Sequence, residues 1–119
     1  EIFCWGYNHY GQLGCKSDNT TKLPFKNNVL PKNVIDIKCG ENHTLILSSN
    51  QEVFSCGYNG HGELGRDTYG MDNSFIGKIN ILSEITRIEC GLYHSMCIDI
   101  NNDFYVFGDN TYGQLGLDD

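Results

Sequence analysis

Short apolar runs separated by turn residues dominate the chain, and no helix signal interrupts them. Two runs are β-branched with charged residues interleaved, two are almost wholly apolar, and three are rich in aromatic residues. In that order they are Val34–Cys39 and Ile85–Cys90, Thr44–Leu47 and Ser95–Ile98, and Ile2–Trp5, Val53–Cys56 and Phe104–Phe107. Runs this short, bounded by turn residues, are typical of strands covered on both faces. The pattern predicts an all-β chain in which Trp5 fills the core.

Polar residues between the predicted strands indicate hairpin turns. Asn50-Gln51 and Asn101-Asn102 each separate an apolar run from an aromatic run. Because asparagine tolerates the positive φ of a tight turn, we expect antiparallel hairpins at both places. Two less regular stretches are predicted to hold a fourth, outer strand that ends near Leu30 and near Ile81. They are Cys15–Pro31 and Arg66–Leu82.

The chain overlays on itself with a shift of 51 positions. Residues 1–51 and 52–102 are identical at 13 of 51 positions without a gap, mostly at glycine and turn positions. The units are therefore 1–51, 52–102 and a partial unit 103–119. About four short strands in a repeat of about 50 residues fit a β-propeller blade better than a solenoid coil.

Two motifs recur at this spacing and resemble the repeat of the regulator of chromosome condensation (RCC1) family. The first is Trp5-Gly6-Tyr7-Asn8-His9-Tyr10-Gly11-Gln12-Leu13-Gly14, repeated at 57–65 and 108–116. The second is Cys-Gly-x-x-His-Thr/Ser, at 39–44 and 90–95. The resemblance covers the whole chain. It implies a seven-bladed β-propeller, when complete, built of four-stranded antiparallel sheets.

The 119 residues supply only about 2.3 such units. A propeller covers its sheet faces by closing the ring, so we expect apolar faces to be exposed at both ends of this chain. The chain stops seventeen residues into a unit, so a simple closed homotrimer does not fit the phase of the repeat. We therefore expect a segment of a larger protein, with the remaining blades supplied by the same parent chain or by other copies.

Charge narrows the class of partner. Eight Lys and Arg face fifteen Asp and Glu, and the formal net charge is -7. An acidic chain repels phosphate backbones, so direct binding of nucleic acid is disfavoured. No apolar run approaches the roughly 20 residues of a membrane-spanning helix, so no membrane partner is expected. The acidic balance suits a basic protein surface.

Six cysteines allow either a disulfide framework or buried free thiols. Most of them lie inside apolar runs rather than in loops, which favours free thiols and a cytoplasmic or nuclear, reducing compartment. They are Cys4, Cys15, Cys39, Cys56, Cys90 and Cys97.

Candidate catalytic, cofactor and metal motifs have structural explanations. Gly60-His61-Gly62-Glu63-Leu64-Gly65 spells a dinucleotide-binding fingerprint, but the sister copies lack its first glycine and no βαβ unit surrounds it. Cys39 with His43, and the equivalent pair one repeat later, could offer zinc ligands, but no Cys-x-x-Cys accompanies them. A buried thiol and a turn histidine bonded to nearby backbone explain them better. We expect no enzyme, cofactor or metal.

Loop residues remain as candidates for binding a partner. Positions between the first and second strands of successive blades differ between copies while their flanks repeat, as on a scaffold that presents a tailored surface. Aromatic residues of the glycine-bounded loops add contacts of a type enriched at interfaces. The predicted partner-binding residues are Glu41, Asn42, Leu92, Tyr93, His9, Tyr10, His61 and Tyr112.

The function that the sequence favours is a non-catalytic protein–protein interaction scaffold, whose partner is another protein. The family resemblance implies an alternative, guanine-nucleotide exchange on a Ran-like small GTPase. Glu41 occupies the loop position where that class carries an important acidic residue, whereas the equivalent position in the next copy is Leu92. The unbroken 51-residue spacing leaves no insertion for the protruding hairpin of the exchange factor, so we rank this alternative second.

Overall fold

The computed structural model describes residues 1–14, 21–67 and 76–116, which form nine β-strands and no helix. All paired strands are antiparallel, as the apolar pattern predicts. Within these ranges no helix exists that could cross a membrane. The strands are β1 Phe3–Gly6, β2 Thr21–Lys26, β3 Val34–Cys39, β4 His43–Ser48, β5 Val53–Gly57, β6 Gly77–Lys78, β7 Ile85–Cys90, β8 His94–Asp99 and β9 Phe104–Gly108.

The strands form three sheets, which we call the first, central and last sheets. The first sheet pairs β1 with β2, the central sheet has the order β3-β4-β5-β6, and the last sheet has the order β7-β8-β9. Sheets and repeat units are out of phase, since residues 52–102 contain the last two strands of the central sheet and the first two of the last sheet. Each repeat unit therefore contributes strands to two neighbouring blades.

Strands β3 and β7 have the predicted bounds, and the hairpins form as predicted. One turn detail differs: the residue with positive φ is Gln51, at 63°, and not the asparagine before it, whereas Asn102 has φ 65°. The outer strands end at Lys26 and Lys78, four and three residues before the predicted ends. Parts of both predicted outer stretches, at 15–20 and 68–75, lie outside the described residues.

The core lies between the central and last sheets, where the middle strand β4 is buried on both faces. Leu45 and Leu47 are at most 2% exposed and pack in one cluster with Ile85, Ile88 and Cys97 of the last sheet. Ile46 lies between them on the strand and so points to the opposite face, towards the first sheet. This confirms the prediction of a sheet sandwiched between two others. Each such buried aliphatic side chain contributes about 1.5–3 kcal/mol.

The outer ends of this stack expose apolar side chains. On β1, Phe3 and Trp5 are 51% and 58% exposed, and Phe104 at the start of β9 is 63% exposed. The expectation that Trp5 fills the core is therefore wrong for this chain. Among the described residues β1 pairs only with β2, although its repeat equivalent β5 is flanked on both sides. A groove of about 380 Å³ lies between β1 and the β3–β5 part of the central sheet.

Candidate functional site

The loops that follow β1, β5 and β9 share one hydrogen-bonding plan, set by the asparagine of the Gly-x-Asn motif. The side-chain oxygens of Asn8, Asn59 and Asn110 each accept a bond of 3.0 Å from the backbone N–H of the leucine five residues later. Two tight turns between glycines complete each loop, with N–H to carbonyl distances of 2.9 to 3.1 Å. The motif therefore builds three similar rigid loops at the same edge of the three sheets.

A second set of contacts ties these loops to the hairpin turns of the same edge. The Tyr58 N–H donates to the Asn42 carbonyl and the Asp109 N–H donates to the Tyr93 carbonyl, at 2.8 and 2.9 Å. The preceding glycine, Gly57, has φ 111°, and an added Cβ would lie 2.4 Å from the Asn42 oxygen. Only glycine allows the strand to turn so close to the neighbouring backbone.

In the Cys-Gly-x-x-His motif the histidine imidazole packs directly on the glycine. A Cβ on Gly40 would lie 2.1 Å from the His43 ring, and the same clash occurs between Gly91 and the His94 ring. The glycine is required because the ring lies directly on it. Burial lowers the pKa of His43, against the opposing effect of the Glu63 charge.

His43 joins neighbouring sheets. Its Nε2 lies 2.9 Å from Ser95 Oγ in the last sheet, and this hydroxyl donates to the Glu63 carbonyl at 2.8 Å. Since the hydroxyl proton goes to that carbonyl, Nε2 carries the proton that bonds to Ser95 Oγ. The sequence predicts a bond to nearby backbone; the His94 backbone does act on the His43 imidazole, and the side-chain bond to Ser95 between sheets is added to it. In residues 1–14, 21–67 and 76–116 no group of three or more His, Cys, Asp or Glu could hold a metal ion.

Six rings line up along this loop edge, and we call them the aromatic row. The row crosses the loops of all three sheets, so that side chains far apart in the sequence are neighbours. Its members are Tyr7, His9, Tyr10, Tyr58, His61 and Tyr93.

Ring contacts are continuous along the row. Tyr7 stacks on His9 with centroids 4.4 Å apart and planes 6° apart, and Tyr7 also meets Tyr10 at 6.1 Å. Tyr10 meets Tyr58 edge-on at 4.9 Å. His61 then bridges Tyr58 and Tyr93, at 5.8 and 5.5 Å. Spacings of this size are those of favourable aromatic pairs, so the row is ordered by its own contacts.

The glycine that breaks the repeat at position 60 belongs to this arrangement. A Cβ on Gly60 would lie 2.0 Å from the Tyr58 hydroxyl, because this ring folds over the loop backbone. At the equivalent position His9 instead stacks its own ring on Tyr7. The apparent dinucleotide fingerprint is therefore part of a loop that accommodates an aromatic ring.

Carboxylates surround the Tyr93 end of the row. The Glu41 carboxylate accepts a hydrogen bond from the Tyr93 hydroxyl and raises the pKa of that phenol, and nearby Asp109 adds to the effect. Hydrogen bonds from the Thr111 hydroxyl and N–H hold the pKa of Asp109 below its usual value. Asp109 therefore carries charge at neutral pH near the half-buried Tyr93 ring.

Positive charge is scarce at this edge. The only lysine or arginine in the described loops here is Arg66, which turns back onto β5 and donates to the Ser55 hydroxyl and carbonyl at 3.0 Å. The other described basic residues lie on or beside strands β2, β3, β6 and β7: Lys22, Lys26, Lys32, Lys38, Lys78 and Arg87. The loop edge is consequently aromatic and acidic.

The structure brings most of the predicted binding residues together. His9, Tyr10, His61 and Tyr93 are members of the row, and the Glu41 N–H donates to the Leu92 carbonyl at 2.9 Å. Asn42 Oδ1 lies 3.5 Å from the Gln12 amide nitrogen beneath it. Tyr112, which is 90% exposed, makes no ring contact with any described residue.

Three residues of this surface are absent from the sequence prediction: Tyr7, Tyr58 and Asp109. They occupy equivalent positions directly after the positive-φ glycines of β1, β5 and β9. Two identical tyrosines at one repeat position, next to a sharp turn, were the available signal. Because the tyrosine recurs in each full repeat, the sequence favours a structural role for it and does not indicate a binding role.

Comparison with known families agrees with this fold. A model described as the regulator of chromosome condensation (RCC1) repeat matches residues 1–47 and 50–98, and a second model of the same description matches 34–63 and 85–114. A crystal structure of Prp20p from Saccharomyces cerevisiae, described with its binding properties to Gsp1p and histones, superposes with a TM-score of 0.79 at 25% identity. The match covers 98% of this chain and 31% of Prp20p. Human WBSCR16 shares the fold at TM-score 0.80 and 19% identity, over 91% of this chain and 28% of its own.

Curated relatives are much longer than this chain. The human probable E3 ubiquitin-protein ligase HERC3 is 33% identical over 97% of this chain, which spans 11% of the relative. The dog X-linked retinitis pigmentosa GTPase regulator is 30% identical over 99% of the chain and 12% of the relative. Human protein RCC2 is 34% identical over 98% of the chain and 23% of the relative.

Proposed function

We propose that this chain, which belongs to the RCC1 repeat family, is a non-catalytic protein–protein interaction segment of a β-propeller. The observation that supports this is the aromatic row, an ordered surface that neighbouring sheets build jointly at one edge. Tyr7 and Tyr10 in it are 48% and 40% exposed. Aromatic residues held in place at a surface are favoured at protein interfaces.

The residues that we propose to contact the partner are those of the row with the carboxylates and loop residues beside it. They are Glu41, Asn42, Leu92, Tyr93, His9, Tyr10, His61 and Tyr112, together with Tyr7, Tyr58 and Asp109. Tyr112 stands apart from the row and would make a peripheral contact. The Prp20p structure is described with binding to Gsp1p and histones, which supports a protein as the partner class.

Site-specific photo-crosslinking in the full-length protein tests this function. A photoreactive phenylalanine analogue replaces Tyr10 in the row or Leu82 at the opposite edge, where the side chain is fully exposed. We expect a discrete crosslinked protein species from position 10 that is absent from position 82. No species at position 10, or the same species from both positions, would contradict the proposal.

The second candidate is nucleotide exchange on a Ran-like small GTPase. Glu41 favours it, because its exposed carboxylate lies on the loop edge at the position where the exchange class carries an acid. The test is nucleotide release from such a GTPase. Acceleration by the full-length protein that is lost in Glu41→Ala would rank this activity above simple binding.

The apolar ends of the stack support a place within a larger ring. We propose that further blades, from the same parent chain or from other copies, cover Phe3, Trp5 and Phe104. Side chains of β1 and of the central sheet line the groove between them, and we propose that an inner strand pair of the first sheet fills it.

Free thiols support a cytoplasmic or nuclear, reducing compartment. Cys4, Cys39, Cys90 and Cys97 are free thiols, and burial raises the pKa of Cys90 and of Cys97 to about 12. Such thiols stay protonated and unreactive at neutral pH. Thiol counting in denaturant, on protein isolated without reductant, should find six free thiols; a lower count in freshly isolated protein would contradict this compartment.

A further inference from the structure

We propose that the aromatic row binds an extended, arginine-bearing segment of a partner protein, because the Glu41 and Asp109 carboxylates lie beside its Tyr93 end. Within the described loops of this edge, Arg66 is the only lysine or arginine, and it is bonded to Ser55. This inference rests on the proposed interaction function and names the chemistry of the partner. It combines three observations: the spacing of the rings, the charge beside them, and the placement of the chain's own basic residues.

Ring spacing is slightly shorter than the side-chain spacing of an extended segment. From Tyr7 through Tyr10, Tyr58 and His61 to Tyr93, successive centroids are 4.9 to 6.1 Å apart. Alternate side chains of an extended strand project on one side at intervals of about 6.6 to 6.8 Å. A segment with arginine at alternate positions can therefore place one guanidinium near each of several rings.

The arrangement of the rings leaves faces available. The Tyr10 to Tyr58 and Tyr58 to His61 contacts are edge-on, with planes 61° and 68° apart, so each contact covers one face of one ring and only an edge of the other. The negative face of an aromatic ring attracts a cation placed over it within about 6 Å. Arginine suits such rings better than lysine, because its planar guanidinium also stacks.

The carboxylates place negative charge beside the aromatic row. Glu41 already accepts the Tyr93 hydroxyl, and Asp109 is held by Thr111, yet each carboxylate retains lone pairs for a guanidinium. His61 is engaged by the buried Glu63 carboxylate, at 3.2 Å from its Nδ1. A cation at the Tyr93 end would thus meet a ring and two carboxylates together.

The same observations weigh against nucleic acid as the occupant. Single-stranded nucleic acid also stacks on aromatic side chains, but it needs a positively charged groove along its backbone. The loop edge has Glu41 and Asp109 instead, and Arg66 is bonded to Ser55. Charge therefore selects a basic protein segment over an RNA or DNA strand.

Fluorescence anisotropy with labelled peptides tests the proposal on the full-length protein. The probes are short peptides in which glycine alternates with arginine, lysine or glutamate, and an oligouridine of similar length. We expect saturable binding of the arginine peptide, weaker binding of the lysine peptide, and no binding of the glutamate peptide or oligouridine. Higher salt should weaken the binding.

Two variants separate the contributions of charge and ring. Glu41→Gln should weaken both cationic peptides, whereas Tyr10→Leu should weaken the arginine peptide by about two- to fivefold and the lysine peptide less. Both side chains are exposed, so the fold should survive, which thermal melts verify. The matched controls are Glu84→Gln at the opposite edge and Phe104→Leu at the start of β9, and neither should change the affinity.

Several results would overturn the inference. They are no binding of the arginine peptide, equal binding of arginine and lysine peptides with no effect of Tyr10→Leu, an equal effect of Phe104→Leu, and tighter binding of oligouridine. A protein crosslinked at position 10 together with no peptide binding would reject the arginine segment and leave the interaction function standing. Absence of both would reject the interaction function as well.

Discussion

Two glycines with the same backbone conformation distinguish the destabilisation caused by a positive φ from that caused by steric contact of an added Cβ. Gly6 and Gly57 both have φ 111°, but a Cβ on Gly6 meets nothing within 4 Å, whereas one on Gly57 meets the Asn42 oxygen and His43 Cα at 2.4 and 2.9 Å. We expect Gly6→Ala to cost about 1 kcal/mol through strain and Gly57→Ala about 3 kcal/mol through strain and overpacking. Equilibrium unfolding in urea measures both. Equal losses would show that φ alone requires glycine here.

Asp99 makes part of the stability depend on pH. Burial of this carboxyl would raise its pKa, but bonds donated by the N–H groups of Asp103 and Asn101 and by the Tyr105 hydroxyl outweigh burial and lower the pKa below 3.8. A folded pKa below the unfolded one stabilises the fold above the unfolded value, and this contribution is lost as pH falls through the folded pKa.

The expected consequence is a pH-dependent cost of Asp99→Asn. Unfolding in urea should show the variant less stable than the parent at neutral pH, with the gap closing in acid as the parent loses its advantage. Asp103→Asn, in the same turn but with an exposed side chain, is the control and should behave like the parent. A gap that stays constant down to strong acid would mean that the charge of Asp99 contributes nothing.

At the residue scale, sequence reasoning could identify which glycines matter but not always why. Gly57 precedes a turn, so its backbone role follows from the local motif. The reason for Gly40 is a ring three residues later that folds back onto it, and the reason for Gly60 is the Tyr58 ring. Such reasons depend on side-chain directions, which a residue pattern does not contain.

Neighbouring sheets are joined by one hydroxyl that serves two partners. Ser95 Oγ accepts a hydrogen bond from His43 Nε2 and donates one to the Glu63 carbonyl. Its repeat equivalent Thr44 donates to the Gln12 carbonyl at 2.8 Å, and no histidine of the described ranges bonds to the Thr44 hydroxyl. We expect Ser95→Ala to cost about 2 kcal/mol, because it leaves two buried groups unpaired, and Thr44→Val about 1 kcal/mol. Thermal or urea unfolding compares them. A larger loss in Thr44→Val would contradict a bond between sheets through His43.

At the element scale, sequence periodicity could predict the bounds of strands such as β3 and β7 closely and the bounds of the outer strands β2 and β6 poorly. Strands β3 and β7 match because β-branched runs with a repeated motif mark both ends. The outer strands lack that signal: β2 contains Pro24 and β6 is two residues long. The aromatic row was predicted in part, since the loops that carry it follow from the repeat, but the contacts across sheets follow only from how the sheets stack.

At the scale of the whole molecule, stability depends on stacking, because no sheet covers its own faces. The central sheet has a neighbour on each side and holds the buried residues Leu45, Ile46 and Leu47. The first sheet has only its two outer strands among the described residues, and the last sheet has three. The two end sheets therefore expose different strands at the two ends of the stack.

Exposed apolar residues on β1 give the 119-residue chain a face for self-association. Phe3 and Trp5 project on one side of the strand and are half exposed, whereas the net charge of -7 opposes close approach of copies. Salt screens that repulsion and strengthens apolar contact, so association should rise with ionic strength. Trp5 is the single tryptophan, so its emission should shift to shorter wavelength as protein concentration increases.

Lysine substitutions at two exposed apolar residues locate the contact. Phe3→Lys should suppress both the emission shift and the concentration-dependent mass seen by sedimentation, because it places a charge on the face that would be buried. Leu82→Lys changes the net charge equally at an exposed residue far from β1 and should leave both signals in place. Loss of association in Leu82→Lys as well would mean that net charge, not the β1 face, controls it. An emission spectrum independent of concentration would show that Phe3 and Trp5 tolerate water without a covering sheet.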